Sequence, residues 1–244
     1  MNYELDLHTH TIASGHAFNT IREMTAYAAQ KGLKLLGITE HAPHMPGTCH
    51  EFYIHNYRVL DRNAYDVPVL FGTELNILDE NGTVDMPQSL LETMDIAIAS
   101  IHPPCVRPMN MRETTGALIR IMQNPHVQII GHPDDGRFPI NYDELVRAAK
   151  DTNTLLEVNN SSLRAGSYRP NARENYARML EACVKYDAEI ILNSDAHVDY
   201  DIANHDHSLP LIRDLQFPEA LIVNTDRKKL TKYLSRDTIS MLKR

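Results

Sequence analysis

Short β-rich apolar runs alternate along this chain with stretches of helical period, an order that calls for a mainly parallel sheet with helices packed outside it. The runs are Tyr3–Leu7, Leu35–Thr39, Val67–Phe71, Asp95–Ser100, Val127–Ile130, Leu155–Val158 and Glu189–Leu192. In the first helical stretch, Thr20–Lys31, the apolar residues Ile21, Met24, Tyr27 and Ala28 recur at i, i+3, i+6 and i+7, and Gly32 stands where a C-cap glycine would. Further helices are expected at Thr114–Gln123, Tyr142–Lys150, Ala172–Tyr186 and Leu209–Leu215, with a short one at Arg227–Leu234 after the apolar run Leu221–Val223. The segment Ala42–Asn63 has no assignable pattern. With 244 residues, 43% of them apolar, the chain suffices for one core, and α/β barrels of about 250 residues are commonly a single domain. No linker, repeat or low-complexity block interrupts it. Residues 1–244 are therefore expected to form one α/β domain, a (β/α) barrel with seven main strands in place of eight.

In such barrels chemistry sits at the C-terminal strand ends. Six of the seven runs end in a potential metal ligand: His8 and His10, His41, Glu74, His102, His132, and Asp195 with His197. The remaining run ends in Asn159-Asn160. Of the 13 histidines, seven lie at or just beyond these ends, counting His16 in Ser14-Gly15-His16. His8-Thr9-His10 puts two imidazoles on one side of an extended segment, because alternate residues share a face. Asp195-Ala196-His197 repeats that spacing with a carboxylate, and Glu74 is placed to bridge two cations. Each residue alone also has a plain structural reading, as a surface or hydrogen-bonding side chain. All of those readings would have to hold together at one barrel mouth.

A net charge of −8 argues against a nucleic-acid grip through a basic surface. The longest apolar runs, such as Ile96–Ile101, fall far short of the roughly 20 residues that span a bilayer. The first residues lack a basic region followed by an apolar one, so no secretory signal is expected. Three widely spaced cysteines, Cys49, Cys105 and Cys183, suit reduced thiols in the cytoplasm.

The order His-x-His, Ser-Gly-His16, Ile-Thr-Glu-His41, Gly-Thr-Glu74-Leu-Asn, Ile-His102-Pro, Gly-His132-Pro and Asn-Ser-Asp195-Ala-His197 resembles the PHP (polymerase and histidinol phosphatase) family. The likeness extends over most of the chain and is closest to the YcdX-like branch of small bacterial phosphatases, with Leu156-Glu157-Val158-Asn159-Asn160-Ser161-Ser162 similar to that branch's sixth-strand segment. It implies a distorted seven-stranded, TIM-like (β/α)7 barrel carrying up to three divalent metal ions. Carried over, it groups His8, His10, Glu74 and Asp195 around one ion, Glu74, His102 and His132 around a second, and His16, His41 and His197 around a third. Imidazole-rich sites suit zinc, with manganese or iron as alternatives. One departure stands out: Glu40 occupies the place of the family's usual Asp before the second-strand histidine. Glu40 is expected to orient His41 through its other ring nitrogen. The amidohydrolase type of barrel, which also opens with His-x-His, resembles an eight-stranded pattern with a bridging lysine on strand four. Here that strand ends in His102.

The function this implies is hydrolysis of phosphomonoesters by a trinuclear cluster and metal-bound hydroxide, with Glu74, Asp195 and His197 carrying catalysis. No side-chain nucleophile is signalled; Cys105 has no P-loop-like surroundings. Arg107, Arg164 and Arg169, on the loops after strands four and six, are candidate phosphate contacts because guanidinium forks suit phosphate. The expected partner is a small phosphorylated substrate, with neither membrane nor nucleic acid. Alternatives are a histidinol-phosphate phosphatase, a PHP-type nuclease, and a non-catalytic metal-binding accessory domain.

Overall fold

The computed structural model describes residues 3–242. Seven parallel strands run in sequence order: β1 (Leu5–Asp6), β2 (Leu35–His41), β3 (Val69–Asn76), β4 (Ile96–Ser100), β5 (Ile129–Ile130), β6 (Leu155–Asn159) and β7 (Ile190–Asn193). The helices are α1 (Ile21–Gln30), α2 (Glu51–His55), α3 (Gln88–Leu91), α4 (Met111–Ile121), α5 (Tyr142–Thr152), α6 (Ala172–Tyr186), α7 (Ser208–Asp214) and α8 (Arg236–Leu242). The sheet curls until β7 nearly meets β1. At the top, Thr9 bridges Ala196, and His10 N–H donates to the Ala196 carbonyl at 2.9 Å. Lower down Asn224 fills the gap. Its Oδ1 accepts the Leu192 N–H, and its Nδ2 donates to the Leu5 and Leu192 carbonyls. Isolated β-bridge pairing of Ile222 with Ile190 puts the Leu221–Val223 run where an eighth strand would lie.

Strand alternation builds the interior in layers. Leu35, Leu70, Ile96, Ile98, Ile129, Leu155 and Ile191 point inward and form the floor with Leu5 and Leu7, and Leu230, Tyr233 and Leu234 seal it. Their neighbours Leu36, Phe71, Ala97, Ala99, Ile130, Leu156 and Leu192 face outward into the larger core beneath the helices. Above the floor the bore narrows: a Cβ on Gly72 would lie 2.0 Å from the Ile96 carbonyl oxygen, and one on Gly131 would lie 2.2 Å from Ser100 Oγ. Even steps along the same inward rows carry Leu35 to His41, Leu70 to Glu74, Ile98 to His102, Leu155 to Glu157 and Ile191 to Asp195. The floor and the mouth are thus parts of one period-2 pattern.

Several expected elements differ. β3 runs on to Asn76 because its upper half is buried between β2 and β4, so Glu74 lies within the strand and not just past it. The unassigned segment Ala42–Asn63 holds only the single turn α2 and 3-10 turns at Asn56–Val59 and Arg62–Ala64. Arg227–Leu234 is a 3-10 turn, Lys229–Lys232, whose Leu230 and Leu234 serve the barrel floor. The terminal α-helix is α8, further on.

Candidate metal centre

Glu74 is the centre of the mouth. Its buried Oε2 lies 2.8 Å from His41 Nδ1, 3.3 Å from His8 Nε2 and 3.5 Å from His10 Nε2. Its Oε1 lies 2.9 Å from His132 Nε2 and 3.2 Å from His102 Nε2. Asp195 closes the ring from β7, with Oδ1 3.3 Å from His10 Nε2 and 3.6 Å from His8 Nε2. His197 Nδ1 lies 3.0 Å from the Asp195 carbonyl oxygen, which sets its ring beside those of His10 and His16. His16 Nε2 meets His41 Nε2 at 3.2 Å. All nine candidate ligands, drawn from β2, β3 and the segments after β1, β4, β5 and β7, converge in one cluster.

The donor set fits divalent metal ions. His8 Nε2, His10 Nε2, His41 Nδ1 and Glu74 Oε2 are buried and make no hydrogen bond among the described residues. A buried polar group left unpaired costs about 1–3 kcal/mol, yet these four face one another. Ligand atoms of His8, His10 and Glu74, of His41, Glu74 and His102, and of His10, His41 and His197 lie within 4.8 Å of one another in each set. Imidazole nitrogen with carboxylate oxygen is the chemistry of zinc and its first-row neighbours. Burial opposes ionisation of Glu74, but the imidazoles of His8, His102 and His41 outweigh it and hold the carboxyl well below its ordinary range. Asp195 is likewise held low, burial being overcome by His8, His10 and His197. Burial pushes His16 down to about 4, with the His41 and His197 rings adding to the effect. A neutral imidazole is the form that donates a lone pair to a metal.

A surrounding shell fixes the rings. His8 Nδ1 bonds Glu157 Oε1 at 2.7 Å, His102 Nδ1 donates to Asn76 Oδ1 at 2.7 Å, and His10 Nδ1 pairs with Ser14 Oγ at 3.0 Å. Asn76 has no freedom to flip, since its Nδ2 donates to Asp85 Oδ2 at 2.6 Å and to the Ala42 carbonyl. Sequence reasoning left Glu157, Asn76 and Asp85 without a role. The signal for Glu157 was its inward position, two residues after Leu155 in an otherwise apolar run. Glu40 requires a correction. Its carboxylate does not reach the His41 ring, because adjacent strand residues point to opposite faces. It accepts instead from Thr11 N, Thr11 Oγ1 and Ser14 Oγ. Glu40 therefore acts on His10 through Ser14, whose Oγ also accepts the His41 backbone N–H at 3.1 Å.

Two of the nine sit on strained main chain, and His132, three residues past the inward Ile129, also departs from the even step of its strand. His132 stands at φ 29° and Asp195 at φ 56°, in the left-handed region that non-glycine residues seldom adopt. Such strain persists where surrounding contacts over-determine it. The His132 N–H is held by Glu157 Oε2 at 2.7 Å, and Asp195 Oδ2 accepts from Asn159 Nδ2 at 3.1 Å.

A cavity of about 560 Å³ opens over the cluster, walled by Arg137, Arg164, Tyr168 and Arg169 from the loops after β5 and β6. Arg169 is buried, donates to Ser162 Oγ at 2.8 Å, and stands 3.8 Å from Asp195 Oδ2. Arg164 pairs with Asp201 at 2.8 Å. Arg107, the other expected phosphate contact, is corrected: it lies outside the cavity lining. Its loop leads into α4, where the guanidinium pairs with Glu80 and Glu113, each at 2.9 Å, and faces solvent. Arg137 is a wall residue that the sequence reading missed.

A seven-stranded parallel barrel with this constellation at its mouth defines an α/β barrel with a candidate metal site. The PHP domain family matches residues 6–215, and the chain belongs to that family. It is 45% identical over 234 residues to a probable phosphatase of Clostridium novyi, covering 96% of this chain and 95% of that one. A probable phosphatase of Caldicellulosiruptor saccharolyticus is 42% identical over 234 residues, covering 96% and 97%. The crystal structure of histidinol phosphate phosphatase from Lactococcus lactis, complexed with zinc, L-histidinol and phosphate, superposes with a TM-score of 0.62. At 18% identity, covering 88% of this chain and 95% of that one, it establishes likeness of fold.

Proposed function

We propose that this chain is a metal-dependent phosphatase that hydrolyses small phosphomonoesters with three divalent ions held by His8, His10, His16, His41, Glu74, His102, His132, Asp195 and His197. The phosphatase class is supported by the family and by the probable phosphatases it resembles. The observation that carries the metal reading is the buried Glu74 carboxylate, with two imidazoles on Oε1 and three on Oε2 and no hydrogen bond to Oε2 among the described residues. When bound, such ions lower the pKa of water towards neutrality and neutralise phosphoryl oxygens. Zinc is the ion favoured by the donor set, with manganese or iron as alternatives.

The chain's own residues supply the rest. Glu157, Asn76 and Ser14 hold three rings in fixed orientations, so little reorganisation is needed when charge develops. Arg169, buried next to Asp195, is placed to bind a phosphoryl oxygen, and Arg164 offers a second guanidinium on the same wall. Asp195 and His197 sit where the cavity meets the cluster, in reach of the reacting group. Residues 1–244 are taken as one such domain.

The test is phosphate release from a panel of phosphomonoesters by chelator-treated protein with each metal restored. Activity on 4-nitrophenyl phosphate exceeding that on bis(4-nitrophenyl) phosphate is expected. The reverse preference would point to a nuclease, and no metal-dependent release would remove the enzymatic reading.

A further inference from the structure

The guanidiniums of Arg137 and Arg164 are each held by a carboxylate that does not itself line the cavity. For Arg137 the holder is Asp135, whose oxygens take Nε at 2.9 Å and Nη2 at 2.5 Å. The Asp135 side chain is 6% exposed and that of Arg137 41%. Arg137 Nη1 has no hydrogen-bond partner among the described residues. A fork gripped along one edge by a buried carboxylate presents its other edge, the geometry suited to a second oxyanion. Tyr168 adds a further restraint, its ring centroid lying 5.5 Å from Arg137 Cζ and 5.0 Å from Arg169 Cζ. One ring thus spaces an inner guanidinium, beside Asp195, from an outer one at the rim. The inner cation serves the phosphoryl group; the outer one bonds to no member of the cluster.

We infer that Arg137 is a specificity-determining residue that binds an oxyanion on the alcohol part of the substrate. The substrate class is then phosphomonoesters whose leaving group carries a carboxylate or second phosphate within a few bonds of the scissile one. This rests on the phosphatase reading above. It also disfavours an amine-bearing alcohol such as the histidinol of the structural neighbour, because a cation would face a guanidinium at that place.

The test compares 3-phosphoglycerate with glycerol 3-phosphate, which share a three-carbon skeleton and differ in one carboxylate. Wild-type kcat/KM is expected to favour the acid by about tenfold to a hundredfold, the range for a charge-assisted bidentate contact. Arg137→Gln should bring the ratio close to one, chiefly through KM, and Arg137→Lys, which keeps the charge without the fork, should retain part of it. A wild-type ratio near or below one, a ratio that Arg137→Gln leaves unchanged, or a preference lost only in Arg164→Gln overturns the assignment while the phosphatase stands. Should metal-loaded wild type turn over no phosphomonoester at all, the underlying reading fails on its own. Calorimetric titration of 3-phosphoglycerate then decides the pocket: weaker binding to Arg137→Gln than to wild type upholds it, and equal binding overturns it.

Discussion

His8 Nδ1 lies 2.7 Å from Glu157 Oε1, both side chains being fully buried. The partner oxygen of the same carboxylate accepts the His132 backbone N–H at 2.7 Å, and Asn193 Nδ2 donates to Oε1 at 2.8 Å. One acid on β6, outside the expected ligand set, thereby fixes the His8 ring and the strained main chain at His132. With Nδ1 held by Glu157, His8 turns Nε2 towards Glu74 and Asp195, where a bound dication would draw on its lone pair.

Glu157→Gln should therefore weaken dication binding by about 10- to 100-fold, the usual effect of losing an acid behind a ligating imidazole. Competition with a fluorescent chelator measures it, and far-UV circular dichroism should show the fold retained. Unchanged affinity would remove Glu157 from the site's support.

Metal uptake should release protons. Burial disfavours a charged His8, but Glu157, Glu74 and Asp195 outweigh it and raise its pKa well above the ordinary value. Without a cation the ring keeps its proton, and a ligand must lose it. Apparent affinity should rise with pH through the range in which His8 deprotonates. Calorimetric titrations in two buffers of different ionisation enthalpy should give different heats; equal heats would contradict proton release.

The convergence of the nine candidate residues was legible in the sequence because a parallel barrel delivers each strand's C-terminal end to one rim. A His or Glu at such an end therefore needs only a correct strand assignment to be placed. Arg137 was hidden for the opposite reason: it sits in an irregular loop, where no periodicity tells which way a side chain turns. Arg107 misled because two acids from other segments, Glu80 and Glu113, claim it. Glu40 misled because a rule about neighbours in sequence was applied to a strand, where adjacent side chains diverge. Glu157 and Asn76 lay on inward rows that the strand periodicity exposes, but their partners are distant in sequence and become visible only in the fold.

Gly15 turns the chain between Ser14 and His16 at φ 80°, and a Cβ there would lie 1.9 Å from the Gly47 carbonyl oxygen. Gly15→Ala should cost about 1–3 kcal/mol, the range for a strained left-handed residue, and should displace His16 from His41. Urea denaturation checks the first effect. Metal analysis checks the second, with loss expected from the His16, His41 and His197 site ahead of the others.

His205 is buried, edge-on to Tyr3 with ring centroids 5.0 Å apart, and neither ring nitrogen has a hydrogen-bond partner among the described residues. Burial pushes its pKa down to about 4. As pH falls below 6.5, the unfolded chain binds this proton and the folded chain does not, so stability falls with pH and the loss levels off near pH 4. The full effect is about 3 kcal/mol, and above pH 6.5 it vanishes. Urea midpoints at pH 7 and pH 4.5 should differ less in His205→Phe than in wild type; an identical difference would contradict the assignment.

The proposed metal cluster depends on the shared carboxylate of Glu74, and counting metal per chain in wild type and Glu74→Gln by mass spectrometry checks it. Three tightly held dications are expected in the wild type and loss of most of them in the variant, with the fold intact. Less than one equivalent in metal-supplemented wild type, or the same content in both proteins, would contradict it.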